Sequence, residues 1–173
     1  VMNLTPADKA WLSEQFKSNR SFGGPGSKLT DLWIAGPRPA TKTITFTGAS
    51  TLGLVNTNTT FFTVTGEVVV RYIVPFCTTS LTESGGAASI SLGVTSSTAL
   101  FIASSLVADI DANEFWVSTT PTANGIALPA TVKEIVITDN ILTAHINNTT
   151  SGGVLRIDVY WRPLSADGNV VAV

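Results

Sequence analysis

Leu155-Arg156-Ile157-Asp158-Val159-Tyr160-Trp161-Arg162 alternates apolar and polar side chains without a fault. A period of two marks a strand with one face on a core, and it turns Leu155, Ile157, Val159 and Trp161 inward and Tyr160 outward. The same period recurs upstream in Thr43-Ile44-Thr45-Phe46-Thr47 and in Ala88 to Val94, where Ile90 and Leu92 alternate with serine. Thr60 to Val64 and Glu67 to Cys77 read as two more strands, joined at a hairpin-like spacing by Thr65-Gly66. Val68 and the even positions after it form the apolar face of the second, with Arg71 on the other. Ala99 to Ala103, Glu114 to Ser118 and Thr131 to Thr138 follow. Asp139-Asn140 then reads as a two-residue hairpin into Ile141 to Ile146. These amount to roughly eight to ten short strands about 8–12 residues apart, the pattern of an antiparallel β-sandwich or barrel and not of βαβ units.

Composition agrees. The 173 residues suit one domain, and the charged fraction is 13%, about half of what soluble domains carry. Twenty-five threonines spread through the strand-like stretches, whereas a helical bundle needs Lys and Glu on its solvated faces. High hydrophobicity with low charge argues against disorder. A net charge of −2 gives no electrostatic reason to expect nucleic acid as a partner. No apolar run approaches the ~20 residues of a membrane span, so no membrane is expected. The opening Val1-Met2-Asn3-Leu4-Thr5-Pro6 has no signal-peptide pattern, and a single cysteine suits the reducing cytosol.

Residues 1–40 read differently. Thr5 is an N-cap, Pro6 sits at the first helical position and Asp8 in the first turn, which predicts an amphipathic helix near residues 6–18. Ala7, Trp11, Leu12 and Phe16 share its apolar face. Glycine- and proline-rich joints follow at Asn19 to Ser27 and at Gly36-Pro37-Arg38-Pro39, separated by a stretch carrying Leu32, Trp33 and Ile34. Residues 1–42 carry a net +3 and residues 43–173 a net −5. The reading is an anchoring arm, 1–40, ahead of a sandwich, 41–173. Such an arm cannot bury Trp11, Leu12, Phe16, Leu32, Trp33 and Ile34 alone, so these six are the expected partner-binding residues.

The chemistry-bearing residues are few. Asp109-Ile110-Asp111-Ala112-Asn113-Glu114 places oxygen ligands at alternate positions, as a hard cation requires, which makes Asp109, Asp111 and Asn113 a weak metal candidate. The pattern then departs from a calcium loop, with Glu114 where glycine is needed and Thr120 where a bidentate glutamate belongs. A polar turn is the expectation there, with Asp109 or Asn113 capping it. His145, the single histidine, lies opposite Leu142, Ala144 and Ile146 with no neighbouring ligand or base. Cys77 ends an apolar strand and reads as a buried, inert thiol. No nucleophile elbow, phosphate loop or metal-ligand pair occurs, so no catalytic residue and no cofactor is expected. Trp116 and Tyr160 invite a glycan-stacking reading, against which core or intersubunit packing is the simpler expectation.

Thr43-Ile44-Thr45-Phe46-Thr47-Gly48-Ala49, Leu52-Gly53, Phe62-Thr63-Val64-Thr65-Gly66, the Ala108 to Glu114 run and the closing Trp161-Arg162-Pro163-Leu164-Ser165-Ala166-Asp167-Gly168-Asn169-Val170 together resemble small structural proteins of tailed bacteriophages. The resemblance covers about residues 41–173 and leaves the arm outside. It implies a non-enzymatic head-decoration or head-fibre protein with a jelly-roll-type β-sandwich, often trimeric. Its partner would be the major capsid protein or another virion protein. It would be made in the host cytoplasm and reside on the capsid surface. A glycan- or receptor-binding module of a tail or fibre is the alternative of a different class.

Overall fold

The computed structural model describes residues 38–173. The helix expected near residues 6–18 and all six arm residues, Trp11, Leu12, Phe16, Leu32, Trp33 and Ile34, lie outside the described residues. Eleven strands follow in chain order: β1 (Arg38–Thr45), β2 (Asn58–Thr65), β3 (Val68–Ser84), β4 (Ser89–Val94), β5 (Ser97–Leu106), β6 (Glu114–Phe115), β7 (Thr122–Ala123), β8 (Ile135–Ile137), β9 (Ile141–Ile146), β10 (Thr149–Pro163) and β11 (Asn169–Ala172). They form two antiparallel sheets. One runs β1-β10-β3-β6-β7, with β8 also paired to β3, and the other runs β11-β2-β9-β4-β5. The all-β, antiparallel sandwich read from the period-two segments is the observed architecture.

The core lies between the sheets. Ile73, Leu155, Ile157 and Val159 from the six-stranded sheet meet Phe61, Ile90, Leu92 and Ile141 from the five-stranded one, all fully buried with Trp116. Each large aliphatic or aromatic side chain so buried contributes roughly 1.5–3 kcal/mol. The inward set of Leu155, Ile157, Val159 and Trp161 is as the alternation requires.

Several local expectations are corrected. The first strand begins at Arg38, where Arg38 pairs with Trp161, and not at the Thr41 boundary. Pro39 is tolerated because β1 is an edge strand. Thr65-Gly66 and Asp139-Asn140 do not close hairpins. β2 and β3 belong to different sheets, as do β8 and β9, so both turns carry the chain across the sandwich. Gly66, at φ +62°, makes the first crossing possible without a Cβ penalty.

β3 also switches faces midway. Val68 and Val70 are buried, but from Arg71 onward it is Ile73, Pro75 and Cys77 that point inward. The register slips there, with Tyr160 opposite Tyr72 while Trp161 is opposite Val70. Arg71 is the extra residue of a bulge. Its carbonyl accepts the Glu134 N–H at 3.1 Å and its guanidinium pairs with the Glu134 carboxylate at 3.3 Å. A strict even-numbered face could not anticipate that slip.

Candidate functional site

His145 is fully interior, 1% exposed, on β9 and on the face opposite Leu142, Ala144 and Ile146. Its ring is ringed by threonine hydroxyls. Nε2 lies 2.9 Å from Thr59 Oγ1 and 3.3 Å from Thr143 Oγ1, and Nδ1 lies 2.9 Å from Thr150 Oγ1. Thr59 Oγ1 spends its own proton on the Thr51 carbonyl, so it accepts from Nε2–H. Nδ1 is therefore the acceptor, and Thr150 donates to it. Phe46 meets the ring edge-on at 5.2 Å. Burial pushes the imidazole pKa down to about 4, so the ring is neutral at pH 7. With both nitrogens committed, it is a structural node joining β2 and β9 of one sheet to β10 of the other.

Cys77 is buried and free, with Sγ 3.0 Å from the Thr79 carbonyl oxygen, and burial pushes its thiol up to about 11. Neither titratable group presents a reactive atom to solvent. The acidic run forms a tight turn. Asp109 closes a 3-10 turn, Val107–Asp109, and Asn113 adopts φ +68° with its N–H donated to the Cys77 carbonyl at 2.8 Å. The capping carboxylate is Glu114, which accepts the Asp111 N–H at 2.9 Å, in place of Asp109 or Asn113. The side chains of Asp109, Asp111 and Asn113 are exposed, and among the described residues no three His, Cys, Asp or Glu side chains converge as a metal site would need.

The outer face of the six-stranded sheet is more telling. Register puts Tyr160 beside Tyr72, Asp158 beside Val74, and Arg156 beside Phe76, whose other neighbour is Phe115. Tyr72 and Tyr160 stack at 4.5 Å, and Phe76 and Phe115 pack at 5.0 Å. The Arg156 guanidinium lies 5.2 Å over the Phe76 ring and bonds Asp158 at 2.9 Å, while Thr41 donates to the other Asp158 oxygen at 2.7 Å. Arg156 and Asp158 thus neutralise each other within the face, and the aromatic side chains remain partly exposed. Such a face is suited to contact with another protein, because partly exposed aromatic side chains are the kind enriched at interfaces. Trp116, by contrast, is fully buried and donates to Ser105 Oγ at 2.9 Å, so it offers no ring to a sugar.

A groove of about 550 Å³ opens between β1 and β2. Six threonines line it (43, 45, 51, 59, 60 and 63), together with Lys42, Asn58 and Asn140. Ile44, Leu52 and Val173 complete the lining, so apolar surface accompanies the hydroxyls and amides.

Sequence reasoning placed Cys77 correctly as an interior thiol, and it set His145 on the face opposite Leu142, Ala144 and Ile146 without reading that face as buried. It missed the threonines that satisfy the imidazole. Thr143 could have been inferred, two residues away on the same face; Thr59, 86 positions distant, could not. Comparison with protein-family models, curated proteins and solved structures finds no match to this chain.

Proposed function

We propose that this chain is a non-enzymatic virion structural protein that decorates or cements a tailed-phage capsid, with the arm docking on the shell and the sandwich projecting outward. The observation that carries the reading is the outer face of the six-stranded sheet. There the Tyr72–Tyr160 stack, the Phe76–Phe115 pair and the self-neutralised Arg156–Asp158–Thr41 chain make a surface for protein contact. The resemblance of residues 41–173 to phage structural proteins points the same way.

The fold is proposed to be of jelly-roll type, and the strand order supports this. β1-β10-β3-β6 stands against β2-β9-β4-β5, so successive strands repeatedly change sheets. The working assembly is a homo-oligomer, a trimer in the first instance, on the capsid surface, with the major capsid protein or another virion protein as partner. The arm grips through a helix near residues 6–18 carrying Trp11, Leu12 and Phe16, aided by Leu32, Trp33 and Ile34. Uptake of the purified chain by particles that lack it tests this, and failure to bind refutes it.

A glycan- or receptor-binding module is the second reading, favoured by the threonine-lined groove between β1 and β2. A glycan array with the full chain separates the two: the decoration account predicts no saccharide-specific signal.

A further inference from the structure

The sequence contains one Asn-Gly pair, Asn124-Gly125, and one Asp-Gly pair, Asp167-Gly168. Both carry the same latent chemistry. The side-chain carbonyl carbon lies within reach of the next residue's backbone nitrogen, and glycine puts no side chain in the way of a five-membered ring. The structure treats the two pairs very differently.

At Asp167-Gly168 both reacting groups are engaged. The Gly168 N–H donates to the Ser165 carbonyl at 3.1 Å, and the Asp167 carboxylate accepts the Ser165 hydroxyl at 2.6 Å. A Cβ on Gly66 would meet that carboxylate and one on Gly168 would meet the Glu67 carbonyl oxygen, so this turn is tightly packed.

Asn124-Gly125 has none of these restraints. It follows β7, and residues 124–129 belong to no helix or strand. Residues 123–127 are all exposed. Among the described residues, none bonds the Asn124 carboxamide or the Gly125 N–H. A Cβ built on Gly125 would meet nothing within 4 Å. The pair holds φ of +67° and +145°, conformations open to asparagine and to glycine. Every other asparagine precedes a residue that has a side chain. Asn140, Asn147 and Asn148 also spend their carboxamides on the Val64 N–H, the Ser89 hydroxyl and the Ala87 carbonyl. After Asn56 and Asn113, the N–H groups of Thr57 and Glu114 are bonded to the Leu54 and Asp111 carbonyls.

We propose that Asn124 is a site of spontaneous deamidation, at which the native chain converts itself to aspartate and isoaspartate. Solvent hydroxide takes the Gly125 amide proton, and the nitrogen attacks Asn124 Cγ. The N–Cγ bond forms and the Cγ–Nδ2 bond breaks. Nδ2 leaves as ammonia with a proton from water, which restores the hydroxide. The succinimide then adds one water at either ring carbonyl. Opening at one gives aspartate, and at the other isoaspartate, whose main chain is longer by one methylene. Either product adds a negative charge beside β7, whose Thr122 is opposite Phe115 of the outer-face aromatic pair. The reaction asks nothing of the decoration reading and stands or falls apart from it.

Peptide mapping by mass spectrometry tests the proposal, with the full chain held in mildly alkaline buffer, native and in urea. In the native chain the segment carrying Asn124 should gain one mass unit, with an equal amount of ammonia released. An exposed loop needs no opening step, so its native rate should lie within about threefold of the rate in urea. Isoaspartate at position 167 should form at least about tenfold more slowly in the native chain than in urea. Asn124→Gln, which would have to close a six-membered ring, should remove most of the ammonia release with the far-ultraviolet dichroism unchanged. An Asn124 that stays amidated in the native chain, whether or not urea releases it, overturns the proposal. So does faster native conversion at another asparagine, or isoaspartate forming at 167 as fast as at 124.

Discussion

His145 Nδ1 sits 2.9 Å from Thr150 Oγ1, a bond that ties β9 of the five-stranded sheet to β10 of the six-stranded one. With Nε2 held by Thr59, the neutral imidazole spans the sandwich near the end where β9 turns into β10.

That geometry gives a pH dependence with a definite sign. The unfolded imidazole takes up a proton near pH 6.5, whereas the folded one does so only at about 4. Between these values the unfolded state binds more protons, so stability falls as pH drops through that window. The loss is complete below pH 4 and amounts to about 3 kcal/mol. His145→Gln has no such titration. The difference in urea unfolding free energy between wild type and this variant should shrink from pH 7 to pH 4; a difference constant with pH refutes the buried neutral imidazole.

Cys77 should be silent to a thiol reagent in the native protein at pH 8, since burial raises its pKa to about 11 and leaves almost no thiolate. Stoichiometric reaction is expected only after unfolding in denaturant. Rapid native labelling would contradict the buried placement.

Gly93 lies where the bulged start of β5 folds over β4. A Cβ there would collide with the Ser97 carbonyl oxygen and with the backbone of Thr98 and Ala99. Backbone cannot swing away as a long side chain can, so Gly93→Ala should cost about 2–3 kcal/mol in urea unfolding. An unchanged midpoint would mean that the β4–β5 hairpin takes another path.

Tyr160→Ala removes the stack on Tyr72 at a partly exposed site. The loss of stacking should cost about 1 kcal/mol of stability, with the fold kept. Uptake by particles should fall clearly, because the stack is central to the proposed contact face. Full uptake by the folded variant would remove that face from the interface.

Much of this fold was legible because so many segments keep a strict period of two. Leu155 to Arg162 gave its inward set directly, and Ala88 to Val94 did the same for β4. What could not be read was where the chain changes sheets. Thr65-Gly66 and Asp139-Asn140 look like hairpin turns, and nothing local distinguishes a turn within a sheet from one that crosses the core. The slip at Arg71 was hidden for a related reason: a bulge depends on the partner strand, here β10, and on Glu134 arriving from a distant loop. At the candidate site, single residues were visible but their companions were not. Tyr160 was read as one outward ring, and only pairing with β3 sets Tyr72 against it.

The most direct test of the decoration account is to add the purified full-length chain to particles lacking it and reconstruct them by cryo-electron microscopy. Symmetric β-sandwich density on the capsid shell is the predicted result, sharply reduced for the Trp11→Ala, Phe16→Ala double variant. Bare shells, or density confined to the tail, would contradict it.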